Sequence, residues 1–376
     1  MVALHELPEE IYIEILERLP VKSLIRFKAV CKSWKSLISS PDFIDYHFDR
    51  SADNCSKLAI MIIKEGSKPD AYEYENKIPI FHTLDFSPTL SGETTKIEVP
   101  ETMIPERRGR YDYYFKPAYG EPLSWCRGLL LLGVKCDHFS LLLWNPSTRE
   151  YKDVPKPNSW RHTYEKISAS DIGYDFTIRS HKIRGQLLQW IKIMKMPITR
   201  TPPKTLVNGA PHWVVSYYKV DEEIVDGKYV CVEKFNDEIE YFDFVLNKFV
   251  VVPQPGGYEY GNNYFKAELF HAEGRLCIGY RSSPKWEVWI MGEYGVDESW
   301  TKWIIFNVDI FGFPICFTRD MNVSLVGEKK IEGRSSRCFA IYNGETRGIE
   351  LNYLLGSSQL TTMRAFTFVE SLISIK

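Results

Sequence analysis

The chain has 376 residues, of which 44% are hydrophobic and 26% charged, with a formal net charge of −2. That balance excludes a disordered chain and a uniformly basic protein that coats nucleic acid. No apolar run approaches the roughly 18 residues of a membrane span; the longest are Gly128–Val134 and Leu141–Trp144. Glu6, Glu9 and Glu10 stand where a secretory signal needs a basic start and an apolar stretch, so no such signal is expected. The eight cysteines are scattered and form no C-x-x-C pair, which fits reduced thiols in the cytoplasm, the nucleus or both. Aromatic residues make up 14% of the chain and favour a β-rich body.

The chain opens with a helical head. Residues 1–48 contain no glycine, and all 23 glycines follow. Pro8 suits a first helical position, Ile11, Ile15, Leu16 and Leu19 then recur on one face, and Pro20 stops the helix. A second helix carries Leu24, Ile25 and Phe27, and a third spans Cys31–Ile38 with Trp34, Leu37 and Ile38 on its apolar side. Ser40 and Pro41 read as a cap and first residue for a fourth helix with Phe43, Ile44, His47 and Phe48. Residues 1–17 hold five glutamates and no Lys or Arg, whereas residues 18–40 hold Arg18, Lys22, Arg26, Lys28, Lys32 and Lys35 and no acid. This split is either a solvated surface or a patch for an acidic partner. A head this small has a thin core, yet it carries more large apolar side chains than short helices readily cover. A helical surface completed by a partner is therefore expected.

The string from Leu7-Pro8-Glu9-Glu10-Ile11 to Leu19-Pro20-Val21-Lys22-Ser23-Leu24, continued by Val30-Cys31-Lys32-Ser33-Trp34, resembles the F-box. The resemblance implies a helical motif that docks on the Skp-type adaptor of a Skp–cullin–F-box ubiquitin ligase, and through it on a cullin. By that resemblance the adaptor interface draws on Leu7, Pro8, Ile11, Ile15, Leu19, Pro20, Val21, Leu24, Val30 and Trp34. Among these, Ile15, Val30 and Trp34, together with Leu16, have an alternative role in holding the helices to one another.

From Lys57 onward, short aliphatic and aromatic runs alternate with Gly, Pro, Asn and Asp, the punctuation of many short antiparallel strands. Leu143–Pro157 aligns without gaps on Tyr241–Pro255, placing Trp144 on Phe242, Asn145 on Asp243 and Tyr151 on Phe249. Each reads as a strand, a polar turn, a second strand and a stopping proline. Looser copies run from Leu84 to Pro100, from Val288 to Ile305 and from Ile341 to Leu351. Further strands open on Gly128, Gly209 and Gly274. Such units cannot bury both faces alone; stacked radially they share a core, which is the logic of a β-propeller of about six or seven blades. An open β-sandwich is the competing architecture. Arg364–Ser371 is expected to close the ring against Leu58–Ile63.

This body resembles the F-box-associated domain of the large plant F-box group, which includes the S-locus F-box and F-box–kelch proteins. The matching stretches include Trp125-Cys126-Arg127-Gly128, Leu143-Trp144-Asn145-Pro146-Ser147-Thr148-Arg149, Ile172-Gly173-Tyr174-Asp175, Asn208-Gly209-Ala210-Pro211-His212-Trp213 and Val288-Trp289-Ile290-Met291-Gly292. Val369-Glu370-Ser371-Leu372 matches the family's closing strand. The expected fold class is thus α+β multidomain: a small all-α F-box over residues 1–49, then an all-β, propeller-like substrate-recognition domain over residues 50–376.

No phosphate loop, dinucleotide-binding glycine pattern, zinc spacing or nucleophile elbow occurs, so no catalytic residue, cofactor or metal is expected. His212, between Pro211 and Trp213, reads as a packed strand residue, and Trp286, Trp289, Trp300 and Trp303 read as core. Arg107–Arg110 with Tyr111, Tyr113 and Tyr114 is either a solvated loop or a recognition loop. The basic helices lack an appended recognition helix, which argues against nucleic acid. The expected function is substrate recognition for a ubiquitin ligase, with an unidentified target protein. A stand-alone propeller that binds peptide or glycan is the alternative, and a glycosidase-like propeller a third class.

Overall fold

The computed structural model describes residues 8–53, 57–63, 79–85, 94–97, 99, 120–135, 139–154, 169–175, 180–186, 205–225, 228–246, 248–256, 266–272, 274–282, 285–307, 311–317, 323–331, 334–357 and 363–375. The head is four helices: α1 (Glu9–Leu16), α2 (Val21–Phe27), α3 (Lys32–Ile38) and α4 (Pro41–Asp53). Pro8 and Pro20 stand just before α1 and α2 in extended conformation, and their carbonyls accept from Ile11 N (3.0 Å) and Ser23 N (2.9 Å). Pro8 is therefore a cap rather than the first helical residue. Cys31 caps α3, its Sγ accepting from Trp34 N at 3.5 Å. Ser40 Oγ accepts from Phe43 N and donates to Leu37 O, so α4 begins where the Ser-Pro pair places it. That helix runs on to Asp53.

The body is built of antiparallel sheets. β1 (Lys57–Ile63), β2 (Pro79–Asp85) and β3 (Thr94–Ile97) join the last strand, β22 (Met363–Thr367), in the order β22-β1-β2-β3. The second sheet is β4 (Gly120–Cys126), β5 (Leu129–Lys135), β6 (Phe139–Trp144) and β7 (Tyr151–Val154). A pair follows, β8 (Ala169–Asp175) and β9 (Ser180–Gln186). The fourth sheet holds β10 (Thr205–Val207), β11 (Ala210–Val225), β12 (Lys228–Asp243) and β13 (Lys248–Val252). Then come β14 (Lys266–Ala272), β15 (Arg275–Ser282), β16 (Lys285–Met291) and β17 (Trp300–Asn307). The last is β18 (Phe311–Phe317), β19 (Val323–Ile331), β20 (Arg334–Asn343) and β21 (Gly348–Ser357).

These sheets follow one another as in a propeller. β4 neighbours β8, β8 neighbours β11, β14 neighbours both β10 and β18, and β18 neighbours β22. Phe81 of β2 meets Trp144 of β6 edge-on at 5.0 Å, bringing the first and second sheets together. Closure is non-local, with Leu58 paired to Thr367 and Ile62 to Met363. The repeats share register: Trp144 pairs with Tyr151 and Phe242 with Phe249. In three of the copies a side-chain oxygen closes the turn, from Asn145, Asp243 and Asn343, accepting from the amides two and three residues on. Gly128 and Gly209 occupy two-residue connections with Arg127 and Asn208, and all four have positive φ, as a tight twisted hairpin demands.

The closing strand corrects an expectation. β22 ends at Thr367, and Val369–Leu372 is not a strand. Residues 368–375, without regular secondary structure, form a strap that contacts both the head and the second sheet. Phe368 packs with Trp144, Ile375 with Leu129 and Ile172, and Leu372 enters the head's core of Leu16, Val21, Leu24, Ile38 and Phe43.

Candidate functional site

The F-box-like residues divide sharply by environment. Ile11 (40%) and Ile15 (48%), one turn apart on α1, are exposed, as is Val30 (60%) after α2. Pro8 and Pro20 are also exposed, while Leu19 and Trp34 are half-buried. Val21 and Leu24, expected at the adaptor interface, are fully buried among Leu16, Ile38, Phe43 and Leu372. They pack with Leu16 and, at the core's edge, Trp34, two of the four residues for which the sequence reading had offered a role in holding the helices together; the other two, Ile15 and Val30, are exposed. Leu7 lies outside the described residues. Ile25 is exposed at 38%, an apolar surface residue that the site reading had omitted.

Charge is arranged around this surface. Glu14 pairs with Arg18 along α1, whereas Lys22, Arg26, Lys32 and Lys35 are exposed on α2 and α3. Burial raises the Glu17 carboxyl above its ordinary value, and Arg50 offsets part of that rise. Hydrogen bonds from Ser33 and the Trp34 amide hold the exposed Cys31 thiol below its ordinary value.

The head is seated on the body by a buried cation. Arg127, in the β4–β5 turn, donates from Nη2 to Asp45 Oδ1 and from Nη1 to Asp49 Oδ1, both at 2.8 Å. Its guanidinium carbon lies 4.5 Å from the Phe48 ring centroid. Asp45, Phe48 and Asp49 share one face of α4, so a single side chain grips that face. Burial, then the Arg127 charge, pushes the His181 imidazole on β9 down to about 4.

The strap is fixed beside this clamp. The buried Asn145 donates from Nδ2 to Ser371 O (3.1 Å) and Ile373 O (2.8 Å), and Ser371 N donates to Ser147 Oγ (3.2 Å). Glu150 Oε2 accepts from Ser374 Oγ and Ile375 N, each at 2.9 Å. Glu370 Oε2 accepts from Val21 N at 3.3 Å, at the start of α2. A Cβ on Gly128 would strike Ser371 Cβ and lie 2.8 Å from Val369 O, so glycine is needed for both its φ of +78° and its closeness to the strap. The motifs around Arg127 and Asn145 read in sequence as blade strands. Their second role, holding the head and strap, needs contacts 78 to 228 residues away, which no local signal carries.

Elsewhere the reading of packed residues agrees with the structure. His212 is fully buried; Nδ1 donates to Ala210 O (2.9 Å), so Nε2 accepts from Tyr294 OH (2.7 Å). Burial pushes its imidazole down to about 4 and raises the Tyr294 phenol, so both groups are neutral at pH 7. Trp286 and Trp300 are buried, and Trp289 and Trp303 pack against the cores. Among the described residues, no group of His, Cys, Asp and Glu could hold a metal ion. No helix there is long and apolar enough to cross a membrane. Arg107–Arg110, Tyr111, Tyr113 and Tyr114 lie outside the described residues.

A small helical head held against a series of antiparallel sheets makes this a two-part protein. Comparison with known proteins gives the family: residues 4–46 match the F-box domain and residues 83–375 the F-box associated beta propeller domain. The chain belongs to the F-box associated beta propeller family. It is 24% identical to F-box protein At3g07870 of Arabidopsis thaliana over 341 residues, covering 80% of this chain and 72% of that one. It is 28% identical to F-box/kelch-repeat protein At3g23880 of the same plant over 312 residues, 79% of each chain. Among solved structures, TolB from Acinetobacter baumannii aligns with 79% of this chain and 52% of its own at 10% identity and a TM-score of 0.31, too distant to bear on function.

Proposed function

We propose that this chain is a substrate-recognition subunit of a Skp–cullin–F-box ubiquitin ligase, acting in the cytoplasm, the nucleus or both. The F-box would bind a Skp-type adaptor, and through it a cullin, while the propeller-like body holds a target protein. The mechanism is proximity: the chain raises the effective concentration of target lysines near a charged ubiquitin carrier, and transfer chemistry belongs to other subunits. It needs no catalytic residue, cofactor or metal. The observation that carries this reading is the pairing of an F-box match with apolar residues left exposed on its helices, Ile11, Ile15 and Val30. Three such residues on so small a head are accounted for by a protein partner.

The test is adaptor binding by the full chain and by Ile11→Asp/Ile15→Asp, whose side chains are exposed and whose replacement spares the head's core. Two half-exposed isoleucines buried in an interface, each replaced by a charge, put the expected loss at ~100-fold or more. Leu24→Asp is unsuitable for this purpose, because it places a charge in the head's interior. An undiminished double variant would remove α1 from the interface. Failure of the unaltered chain to bind would favour the stand-alone binding propeller.

A further inference from the structure

The strap gives the head a dependence on the body that neither part shows alone. Three of the four helices have 7 or 8 residues, a length at which a helix does not hold its own conformation in water. Their stability must come from a shared core, and one member of that core, Leu372, lies far along the chain at 2% exposure. Glu370 adds an acceptor for the Val21 amide, which α2 itself cannot satisfy. The strap in turn is held by the body. β22 pairs with β1, Phe368 directly after it packs beside Trp144, and Asn145, Ser147 and Glu150 fix Ser371 to Ile375.

From this arrangement we propose that closure of the propeller completes the F-box: the strap couples the closed ring to an adaptor-competent head. A chain whose ring is open, or whose strap is displaced, would present a loosened head and bind the adaptor poorly. This deepens the ligase reading and rests on it for the adaptor step, although the packing step stands apart from any partner. The strap completes the head rather than blocking it. It covers Val21 and Leu24 inside the core, while Ile11, Ile15 and Val30 remain exposed with the strap in place. Arg127 and Asn145 are accordingly positioning residues, which hold the head at one attitude to whatever the body carries.

The experiment measures amide exchange and adaptor affinity in the full chain for Leu372→Ala, Leu372→Asp and Glu370→Ala. Leu372→Ala should speed exchange in α2 by about 30-fold or more while β5 and β15 keep their protection. Leu372→Asp should weaken adaptor binding by about 10-fold or more, because only the packed fraction of heads can bind. By reciprocity, adaptor bound to the unaltered chain should slow exchange at Leu372 and Ile373, a response that passive packing would not give. If Leu372→Asp also loosens β5, the milder Glu370→Ala decides, with exchange at Val21 rising several-fold. Unchanged α2 exchange in Leu372→Ala, or in Glu370→Ala where that variant decides, overturns the coupling. Tighter adaptor binding by Leu372→Asp would make the strap a block and overturn it equally. If the unaltered chain binds no adaptor, the ligase reading and the adaptor step fall together, and exchange alone judges the packing step.

Discussion

Replacing Arg127 with methionine keeps most of the side chain's apolar stem and removes the cation between head and body. The size of the effect follows from exposure. Arg127 is 7% exposed and Asp45 25%, so their 2.8 Å bond is a largely enclosed charged hydrogen bond, of order 2 kcal/mol. Asp49 is 64% exposed, and its bond is screened to about 0.5 kcal/mol. The guanidinium over Phe48 adds ~0.5–1 kcal/mol. Together these give about 3 kcal/mol, or roughly 100-fold in the opening constant of α4. Amide exchange of α4 in the full chain reads this directly. A cycle with Asp45→Asn should return a coupling near 2 kcal/mol, because Asp45 is the less screened partner. The variant should also raise the His181 pKa from about 4, since the Arg127 charge is its second depressing cause after burial. Protection of α4 that changes by less than about threefold would mean the clamp does not seat the head.

Acid should destabilise the chain through His212 and His181. Both are held near 4 in the folded protein and titrate near 6.5 when unfolded, so the unfolded chain binds the extra protons and stability falls as pH drops from above 6.5 towards 4. By pH 5 each should have lost about 2 kcal/mol, measurable as a falling urea midpoint, and His212→Gln should remove its share of the slope. Gly128→Ala should lose more than about 2 kcal/mol in the same assay, since strain at positive φ adds to the clash with the strap. Asn145→Ala should cost ~3 kcal/mol against ~1 for Asp243→Ala: both lose the turn bonds, but only Asn145 holds the strap. Equal losses would show that the strap bonds contribute nothing. Adaptor binding by Ile11→Asp/Ile15→Asp remains the test of the interface itself.

Where a feature depended on neighbours a few residues apart, it was legible in the sequence. Ser40 and Pro41 start α4 because a hydroxyl three residues before Phe43 N suffices to cap it. The echo between Leu143–Pro157 and Tyr241–Pro255 became two hairpins of one register because an Asx turn fixes which residues pair. Even the long-range pairing of β22 with β1 was foreseeable, since an unpartnered closing strand in a ring has few places to go. Tertiary structure alone decided what stops at Thr367. The short run Val369-Glu370-Ser371-Leu372, with two polar residues between two apolar ones, has no periodicity that separates a strand from an irregular strap. The same ambiguity hid what covers Val21 and Leu24. Amphipathic spacing says that one face of α2 is covered, but it cannot distinguish an adaptor from Leu372, which lies 348 residues beyond Leu24 and is brought to it only by the tertiary fold.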